Sequence, residues 1–293
     1  MRVVGFNAER GTRFDGIERL LRDTRGEVLL LSEMDHGMAR SAQRHVTREL
    51  ADRLGHQYAY GIEFVELGLG SASEQERHRG EENAVGHHGG AIASAAALRD
   101  PEVVRLETRG YWFDPVRGEP RIGGRIAVLA GIEVRGVEVV VASVHLHSHG
   151  GPGERAEEMA VLLDAIDGRC GGGPAVIGGD LNTHTFEAED LEDVDVLIAG
   201  VRARPERLVD PVPHEPLFEV ARARGFEWES ANPPGTTTCR GPGGTAVRLD
   251  WFLVRGVEAS APEVIDAADV SDHDAIAVTI TPRVPGARGR GGR

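Results

Sequence analysis

Short apolar runs recur along the chain with the length and composition of β-strands. They are rich in branched residues, which pack well on a pleated sheet. The runs are RVVGFN, EVLLLSE, GGAIAS, RIAVLAGIEV, VEVVVASVHL, PAVIGGD, LDWFLV and DAIAVTI. Apolar residues at helical spacing form two further stripes, Phe14, Ile17 and Leu21 in one and Ala156, Ala160, Leu163 and Ile166 in the other. This alternation of strands and helices predicts an α/β fold.

The connections between these runs refine the prediction. Arg135 and Gly136 alone join two of the strands, and so short a link is typical of an antiparallel hairpin, which makes the sheet mixed. Residues 68–90 are polar and glycine-rich, which predicts a long loop at a binding rim, and 232–245 are predicted to be irregular as well. We expect a single domain over 1–283, followed by a basic, disordered tail at 284–293.

Composition excludes several classes of protein. The 293 residues include 40% hydrophobic ones, enough for a large core, but they contain no run of eighteen apolar residues and no signal-peptide pattern. We therefore expect a cytoplasmic protein without a membrane span. Cys170 and Cys239 match no zinc-ligand spacing and are expected to be reduced thiols. The formal net charge of −14 disfavours nucleic acid as a partner, and the chain carries its fixed positive charge on arginine, without lysine.

Acids, amides and histidines follow or precede several of the predicted strands. They are Asn7, Glu9, Glu33, His145, His147, Asp180, Asn182, Asp250, Asp272 and His273. Each alone is more often structural, but ionised carboxylates gathered in one cleft need a cation or hydrogen bonds to offset their desolvation, and such a cleft would bind the cation. Oxygen ligands without thiolates favour Mg²⁺ or Mn²⁺ over zinc, and no His-Glu-x-x-His motif is present. The pattern predicts metal-assisted hydrolysis of a phosphoester.

These segments resemble a known superfamily, the endonuclease/exonuclease/phosphatase proteins. The resemblance covers nearly the whole chain in order, through FNAERG, LLLSEMD, GGAIAS, SVHLHS, GGDLN, LDWF and SDHDAI, of which GDLN and SDH are the most specific. It implies a four-layer α/β sandwich, in which two mixed β-sheets pack face to face between outer helices. The site would lie at one end of the sandwich.

The resemblance also implies roles for individual residues. The metal ligands would be Asn7, Glu9, Glu33 and Asp272, with Glu9 standing where many members carry an aspartate. Asp180 would activate the attacking water, and Asn182 would hold that water or a phosphate oxygen. His145 and His273 would donate to phosphate oxygens, and Asp250 would orient His273.

The segment HHGGAIAS departs from the family pattern. Gly90 stands where many relatives have an asparagine that contacts phosphate. The residues predicted to contact substrate are His87 and His88, as replacements for that contact, together with Arg125 and His147. His149 is expected to be a solvated spectator.

The sequence constrains the identity of the substrate less than it constrains the type of reaction. The acidic charge and an aromatic content of 5% favour a small or lipid-like phosphoester. A nuclease acting on DNA or RNA is the alternative, because a metal ion and a few arginines such as Arg77 and Arg79 can form a local positive site. A non-catalytic binding module would have lost one of the catalytic residues, and none is lost. The sequence leaves the oligomeric state open.

Overall fold

The apolar runs form strands in the computed structural model, which describes residues 1–107, 113–114, 119–187, 199–200, 202–240 and 245–283. The strands are β1 Arg2–Asn7, β2 Val28–His36, β3 Gln57–Glu66, β4 His87–Ser94, β5 Arg99–Arg105, β6 Phe113–Asp114, β7 Arg121–Gly123, β8 Ile126–Val134, β9 Val137–His145, β10 Ala175–Asp180, β11 Cys239–Arg240, β12 Ala246–Val247, β13 Asp250–Arg255, β14 Val257–Ile265 and β15 Ala275–Pro282. All eight predicted runs therefore lie in strands.

The strands build two mixed sheets. The larger has the order β14-β15-β1-β2-β4-β3-β7-β6, and the smaller has the order β13-β10-β9-β8-β5. β1 and β2 run parallel, and so do β9 and β10. β15, β4 and β13 pair antiparallel with β1, β2 and β10 respectively. β11 and β12 form a separate two-stranded ribbon.

Helices cover the outer faces of both sheets. In the described part of the chain, the α-helices include α1 Phe14–Thr24, α2 Val46–Leu54, α3 Ala72–Arg77, α4 Pro152–Cys170, α5 Glu206–Val209 and α6 Leu217–Ala223. Short 3-10 turns span Glu9–Gly11, Ala39–Ser41 and Val212–His214. Among the helices described, none is long and apolar enough to cross a bilayer.

Three apolar clusters show how the layers pack. The middle cluster joins the inner faces of the two sheets, for example Leu30 of β2 with Phe252 of β13. A second cluster packs the smaller sheet against α4 and α6, and a third packs the larger sheet against α1 and α2. This order of helix, sheet, sheet and helix confirms the predicted four-layer sandwich.

Two local predictions were wrong in detail. Residues 68–90 contain a helix, α3, which Ser71 and Glu74 begin with a reciprocal capping box, and β4 already starts at His87. On α4 the buried face is shifted from the predicted stripe, so Ala156 and Ala160 are only half-buried. The face shifts because Arg155 is fully buried by an ion pair, which a pattern of apolar residues does not reveal.

The sequence also led to predictions for the cysteines, the C-terminal tail and the domain boundary. Both cysteines are free thiols, as expected. The tail at 284–293 lies outside the described residues, so the prediction that it is disordered stays a prediction. The boundary of the single domain at residue 283 likewise remains a prediction.

The hairpin between β8 and β9 has the predicted two-residue turn. Arg135 and Gly136 adopt φ angles of 52° and 78°, and the flanking residues pair from Val134 with Val137 onward. Two consecutive positive φ angles are the backbone of a type I′ turn, whose twist matches that of the strands.

We expect Gly136→Ala to lower the free energy of unfolding by about 1–2 kcal/mol, because a left-handed backbone places Cβ too close to the carbonyl oxygen. Urea unfolding measures this. Gly168→Ala in α4 is the matched control, since its added Cβ would meet no atom within 4 Å. The control should gain about 0.5–1 kcal/mol from helix propensity. Equal gains in both variants would contradict the turn geometry.

Candidate active site

The carboxyl ends of β9 and β10 bring three of the predicted residues into one row of the smaller sheet. Asp180, the last residue of β10, pairs with His145 on parallel β9 and with Asp250 on antiparallel β13. All three are buried, with exposed fractions of 6% or less. The strand register thus places a histidine and a second acid on either side of Asp180.

The larger sheet contributes Asn7 from the end of β1 and Glu33 from within the neighbouring parallel strand β2. The Nδ2 atom of Asn7 donates to Oε1 of Glu33 at 3.1 Å and to Oδ2 of Asp180 at 3.1 Å. Glu33 lies in a β-bulge of β2 and has a φ of 54°. One amide therefore joins the carboxylates of the two sheets.

Two histidines flank Asp180. The Nε2 atoms of His145 and His273 lie 3.6 and 3.7 Å from Oδ2 of Asp180. Behind His273, Nδ1 is 2.8 Å from Oδ2 of Asp250, as the predicted orienting contact requires. Behind His145, Nδ1 faces Oε2 of Glu63 at 3.8 Å, longer than a hydrogen bond. Each histidine is thus backed by a carboxylate, with a direct hydrogen bond on one side only.

Their charges differ because their neighbours differ. Burial acts to lower the pKa of His273, but the negative Asp250 and Asp180 outweigh it and hold the pKa well above its usual value. Burial lowers the pKa of His145 well below its usual value, and the positive Arg125 adds to that effect. Near neutral pH, His273 is protonated and His145 is neutral.

The two central acids are shifted in opposite directions. Burial, helped by Asp250 and opposed by His273, raises the pKa of Asp180 to about 6. Burial also acts to raise the pKa of Glu33, but His88, Arg10 and the Asn7 hydrogen bond together lower it. Glu33 is therefore an ionised carboxylate, whereas Asp180 exchanges a proton close to neutral pH.

Asn182 closes the segment that follows β10. Its backbone N–H donates to Oδ1 of Asp180 at 2.9 Å, and its Nδ2 donates to the carbonyl oxygen of Leu146 at 2.9 Å. The φ of 50° at Asn182 is a left-handed conformation, which asparagine tolerates better than most residues. These bonds fix the side chain of Asn182 beside Asp180.

A cavity of about 230 Å³ opens over these residues. Its walls comprise Arg10, Glu33, Glu66, His88, Glu119, Arg121, Arg125, His145, Ser148, His149, Asp180, Asn182 and His273. The predicted Arg125 is among them, held by Glu63 and by a 2.8 Å hydrogen bond from Nη2 to Oγ of Ser148. His145, Asp180, Asn182, His273 and Arg125 therefore share one chamber, and the predicted Asp250 lies behind His273.

The adjacent histidines of β4 point to opposite faces of the sheet. His88 is buried and lines the cavity, with Nδ1 2.9 Å from Oδ1 of Asp35. His87 does not line it, and its ring lies edge-on to His36 with 5.6 Å between centroids. The structure thus separates the two candidates, because successive residues of a strand alternate in direction.

The segment after β9 also differs from expectation. His147 is absent from the cavity wall, and its Nδ1 accepts a hydrogen bond from the backbone N–H of His149 at 3.0 Å. His149 lines the cavity, with Nδ1 2.8 Å from Oγ of Ser148. The cavity wall therefore contains His149 and not His147, and the predicted role of each histidine toward the substrate stays a prediction. The segment between β9 and α4 is not a strand, so the alternation of a strand no longer predicts side-chain direction there.

The remaining predicted metal ligands lie at the edge of the site. Asp272 is exposed, and Glu9 pairs with Arg13 at 2.6 Å. Burial and the negative charges of Asp272 and Glu33 raise the pKa of Glu9, although Arg13 opposes them. These acids are therefore close enough to repel one another, and a divalent cation would relieve that repulsion.

Other groups in the described residues also have the spacing of metal ligands. One is Asp180, Asp250 and His273, and another is Cys239, Asp272 and His273. Each offers ligand atoms within 4.8 Å of one another. The mainly oxygen-bearing donors around Asn7, Glu33 and Asp180 fit a hard divalent cation, in keeping with the chemistry of the residues.

The sequence did not single out several residues of the cavity wall. They are Arg10, Glu66, Glu119, Arg121 and Ser148. Glu63 and Glu66 had a usable signal, because both stand in the strand-like run QYAYGIEFVE, where a buried acid needs a partner. Arg10 gave no such signal, since its partners Glu74 and Glu119 are distant in sequence.

Comparison with known proteins agrees with this geometry. A model of the endonuclease/exonuclease/phosphatase family matches residues 4–273, while no curated protein matches the chain. Among solved structures, an endonuclease/exonuclease/phosphatase from Beutenbergia cavernae is 19% identical with a TM-score of 0.65, over 96% of this chain and 71% of that one. The human Nocturnin catalytic domain, solved with a bound sulfate anion, is 16% identical with a TM-score of 0.62, over 97% and 94%.

A third similar structure is truncated Caenorhabditis elegans TDP2, which is 16% identical with a TM-score of 0.54, over 95% of this chain and 96% of that one. At these identities, the solved structures show a shared fold. The family model covers the strand ends that carry Asn7, Glu33, Asp180 and His273. With that match over most of its length, the chain belongs to the endonuclease/exonuclease/phosphatase family.

Proposed function

We propose that the protein is a divalent-metal-dependent phosphoesterase that hydrolyses a small phosphoester by direct attack of water. The observation that carries this proposal is the position of Asp180. Its carboxylate is buried between two histidines and bonded through Asn7 to Glu33. A base, two hydrogen-bond donors and an ionised carboxylate thus converge at one point, which is what phosphoester hydrolysis needs.

Asp180 is the group that orients the nucleophile. Its raised pKa of about 6 makes it a better proton acceptor than an ordinary aspartate while leaving it ionised at neutral pH. Asn182, fixed by its bond to the carbonyl of Leu146, holds the other side of the water or a phosphate oxygen. These two side chains would align the water for in-line attack on phosphorus.

The two histidines act on different oxygens of the phosphoester. His273 is protonated through Asp250 and donates a proton to the leaving oxygen as charge develops there. His145 is neutral and donates a hydrogen bond to a non-bridging oxygen from the ring nitrogen that carries its hydrogen. Arg125, also in the wall, adds positive charge beside the phosphate.

Glu33, Asn7, Glu9 and Asp272 would hold the cation. A bound divalent cation supplies charge neutralisation at the phosphate oxygens and makes water more acidic. Asn7 keeps Glu33 aligned with Asp180 through its two hydrogen bonds. These four residues would hold the cation beside Asp180, where it would supply positive charge next to the attacking water.

The shape of the cavity favours a small substrate over a nucleic-acid duplex. Arg10 pairs with Glu74 of α3 on one side and with Glu119 at 3.0 Å on the other. This bridge forms one wall of the chamber, whose volume of about 230 Å³ lies below the usual range for drug-sized ligands. A phosphorylated small molecule, or the headgroup of a lipid-like ester, fits a chamber of this kind.

The test is a comparison of substrates with and without metal. Purified protein stripped with EDTA should release no phosphate, and Mg²⁺ or Mn²⁺ should restore the release of phosphate from small phosphomonoesters or the cleavage of bis-p-nitrophenyl phosphate. Nicking of a supercoiled plasmid, assayed in parallel, should be much slower than hydrolysis of the best small ester. Faster nicking would favour the nuclease alternative, and metal-independent hydrolysis would overturn the proposal.

A further inference from the structure

His88 occupies an unusual position in the cavity wall. Nδ1 of its ring lies 2.9 Å from Oδ1 of Asp35, and Asp35 in turn accepts from Nη2 and Nε of Arg40 at 2.9 and 2.8 Å. The side chains of Asp35 and Arg40 are at most 1% exposed. The imidazole is therefore held from behind by a rigid, buried ion pair.

This contact determines which atom faces the cavity. Nη2 of Arg40 also lies 3.4 Å from Nδ1 of His88, but it donates over the shorter distance of 2.9 Å to Oδ1 of Asp35. Since Asp35 can only accept and lies 2.9 Å from Nδ1, the hydrogen between them is on Nδ1 of His88. In the neutral ring the lone pair is then on Nε2, for which the described residues provide no hydrogen-bond partner. A histidine that donates one N–H to a carboxylate and presents the other nitrogen outward is the usual form of a metal-ligating histidine.

The strand register brings His88 close to Glu33. Leu31 of β2 pairs with Ala91 of β4, whereas Met34 pairs with Gly89, so the bulge containing Glu33 lies opposite Gly90. His88 is two residues from Gly90 and therefore on the same face of β4. Gly90 has no side chain, and a Cβ there would meet only the carbonyl oxygen of Leu31, at 3.5 Å.

An open space for a ligand therefore lies between the carboxylate of Glu33 and the imidazole of His88. Both Glu33 and His88 line the cavity, and between them β4 offers only the bare backbone of Gly90. A direct Glu33 to His88 hydrogen bond is absent from the contacts of the described residues. The geometry thus leaves two potential ligand groups facing one open volume.

We infer that His88 is a metal ligand, which binds through Nε2 the same cation as Glu33, and that it makes the site prefer a first-row transition ion such as Mn²⁺ over Mg²⁺. Mg²⁺ takes oxygen ligands and water, whereas an imidazole nitrogen binds transition ions. Asp35 and Arg40 are positioning residues, because they act only through His88. This inference rests on the metal site of the proposed function.

The experiment measures the metal and not the reaction. EDTA-stripped protein is titrated with Mn²⁺, whose free form is followed by its electron paramagnetic resonance signal, and Mg²⁺ is added as a competitor. Wild-type protein should bind Mn²⁺ about tenfold or more tightly than Mg²⁺, the scale by which ligand shells tune metal affinity. Equal affinity for the two ions would overturn the inference.

Variants locate the nitrogen ligand. His88→Gln should weaken Mn²⁺ binding by about 10- to 100-fold while changing Mg²⁺ binding little. His87→Gln is the matched control, because its side chain is on the other face of the same strand and outside the cavity wall. Pulsed paramagnetic resonance of bound Mn²⁺ should show coupling to a nitrogen nucleus in wild-type and His87→Gln proteins, and should lose it in His88→Gln.

The outcomes separate this inference from the proposed function. Nitrogen coupling that persists in His88→Gln, or no coupling in wild-type protein, would show that His88 is not a ligand. Glu33→Gln tests the site itself and should abolish tight Mn²⁺ binding. If Glu33→Gln binds Mn²⁺ normally, the metal site of the proposed function fails, whatever His88→Gln shows. If His88→Gln weakens binding of inorganic phosphate but not of Mn²⁺, His88 contacts the substrate instead.

Discussion

Asp180→Asn should reduce kcat by about 100- to 10,000-fold, the range typical for loss of a positioned general base. The amide cannot take a proton from water, and its NH₂ group would face Nδ2 of Asn7, which now donates to Oδ2 of Asp180. The measurement is kcat and KM on the best small phosphoester with saturating metal. We expect the loss mainly in kcat, since the base acts in the transition state.

The control for this substitution is Asp164→Asn, an exposed aspartate of α4 that pairs with Arg224. It should leave kcat unchanged. Thermal unfolding of both variants shows whether the loss at Asp180 reflects misfolding. A folded Asp180→Asn protein with near wild-type kcat would remove Asp180 from the reaction.

The pH profile gives an independent check on Asp180. Since its pKa is raised to about 6, the rate should fall as the pH is lowered through that region, where the carboxylate becomes protonated. A bound cation favours the ionised form, so a higher metal concentration should move the acid limb to lower pH. A profile insensitive to metal would place the titrating group outside the metal site.

Much of this fold could be predicted because local patterns were consistent with the sheets. Branched apolar runs identified the strands, and acids or amides at their ends identified one edge of the sandwich. The prediction for Asp180 and Asn7 was possible because each ends a strand, and the two sheets pack with these strand ends together, so residues distant in sequence meet there. The position of a residue at a strand end can therefore be predicted from its own segment of the sequence.

The face of the sheet to which each side chain points was harder to predict. The sequence could not separate His87 from His88, since both are equally polar and follow the same loop. The side that faces the cavity depends on the pairing of β4 with β2 and β3, and both partners carry a bulge that shifts the register. A shift by one residue exchanges the two faces of a strand.

Buried ion pairs were beyond a single sequence. Glu63 with Arg125, Asp35 with Arg40, and Arg155 with Glu215 are buried pairs. Taken alone, each of these charged residues would be expected on the solvent-exposed surface, because charged residues are rarely buried without a partner. Only the tertiary structure brings the partners together.

Arg155→Met should lower the free energy of unfolding by about 3–5 kcal/mol, because it leaves the buried Glu215 without its counter-charge. Arg155 donates Nε and Nη2 to the two Glu215 oxygens at 3.0 and 2.6 Å, and Nη1 to the carbonyl of Gly150 at 2.6 Å, next to the cavity residue His149. Burial already raises the pKa of Glu215, so the loss measured by urea unfolding should be smaller at pH 5 than at pH 8, where the unpaired carboxylate must ionise. Arg224→Met, at an exposed ion pair, should cost at most about 1 kcal/mol. A double variant, Arg155→Met with Glu215→Leu, should recover part of the stability, and no recovery would show that the other bonds of Arg155 outweigh the ion pair.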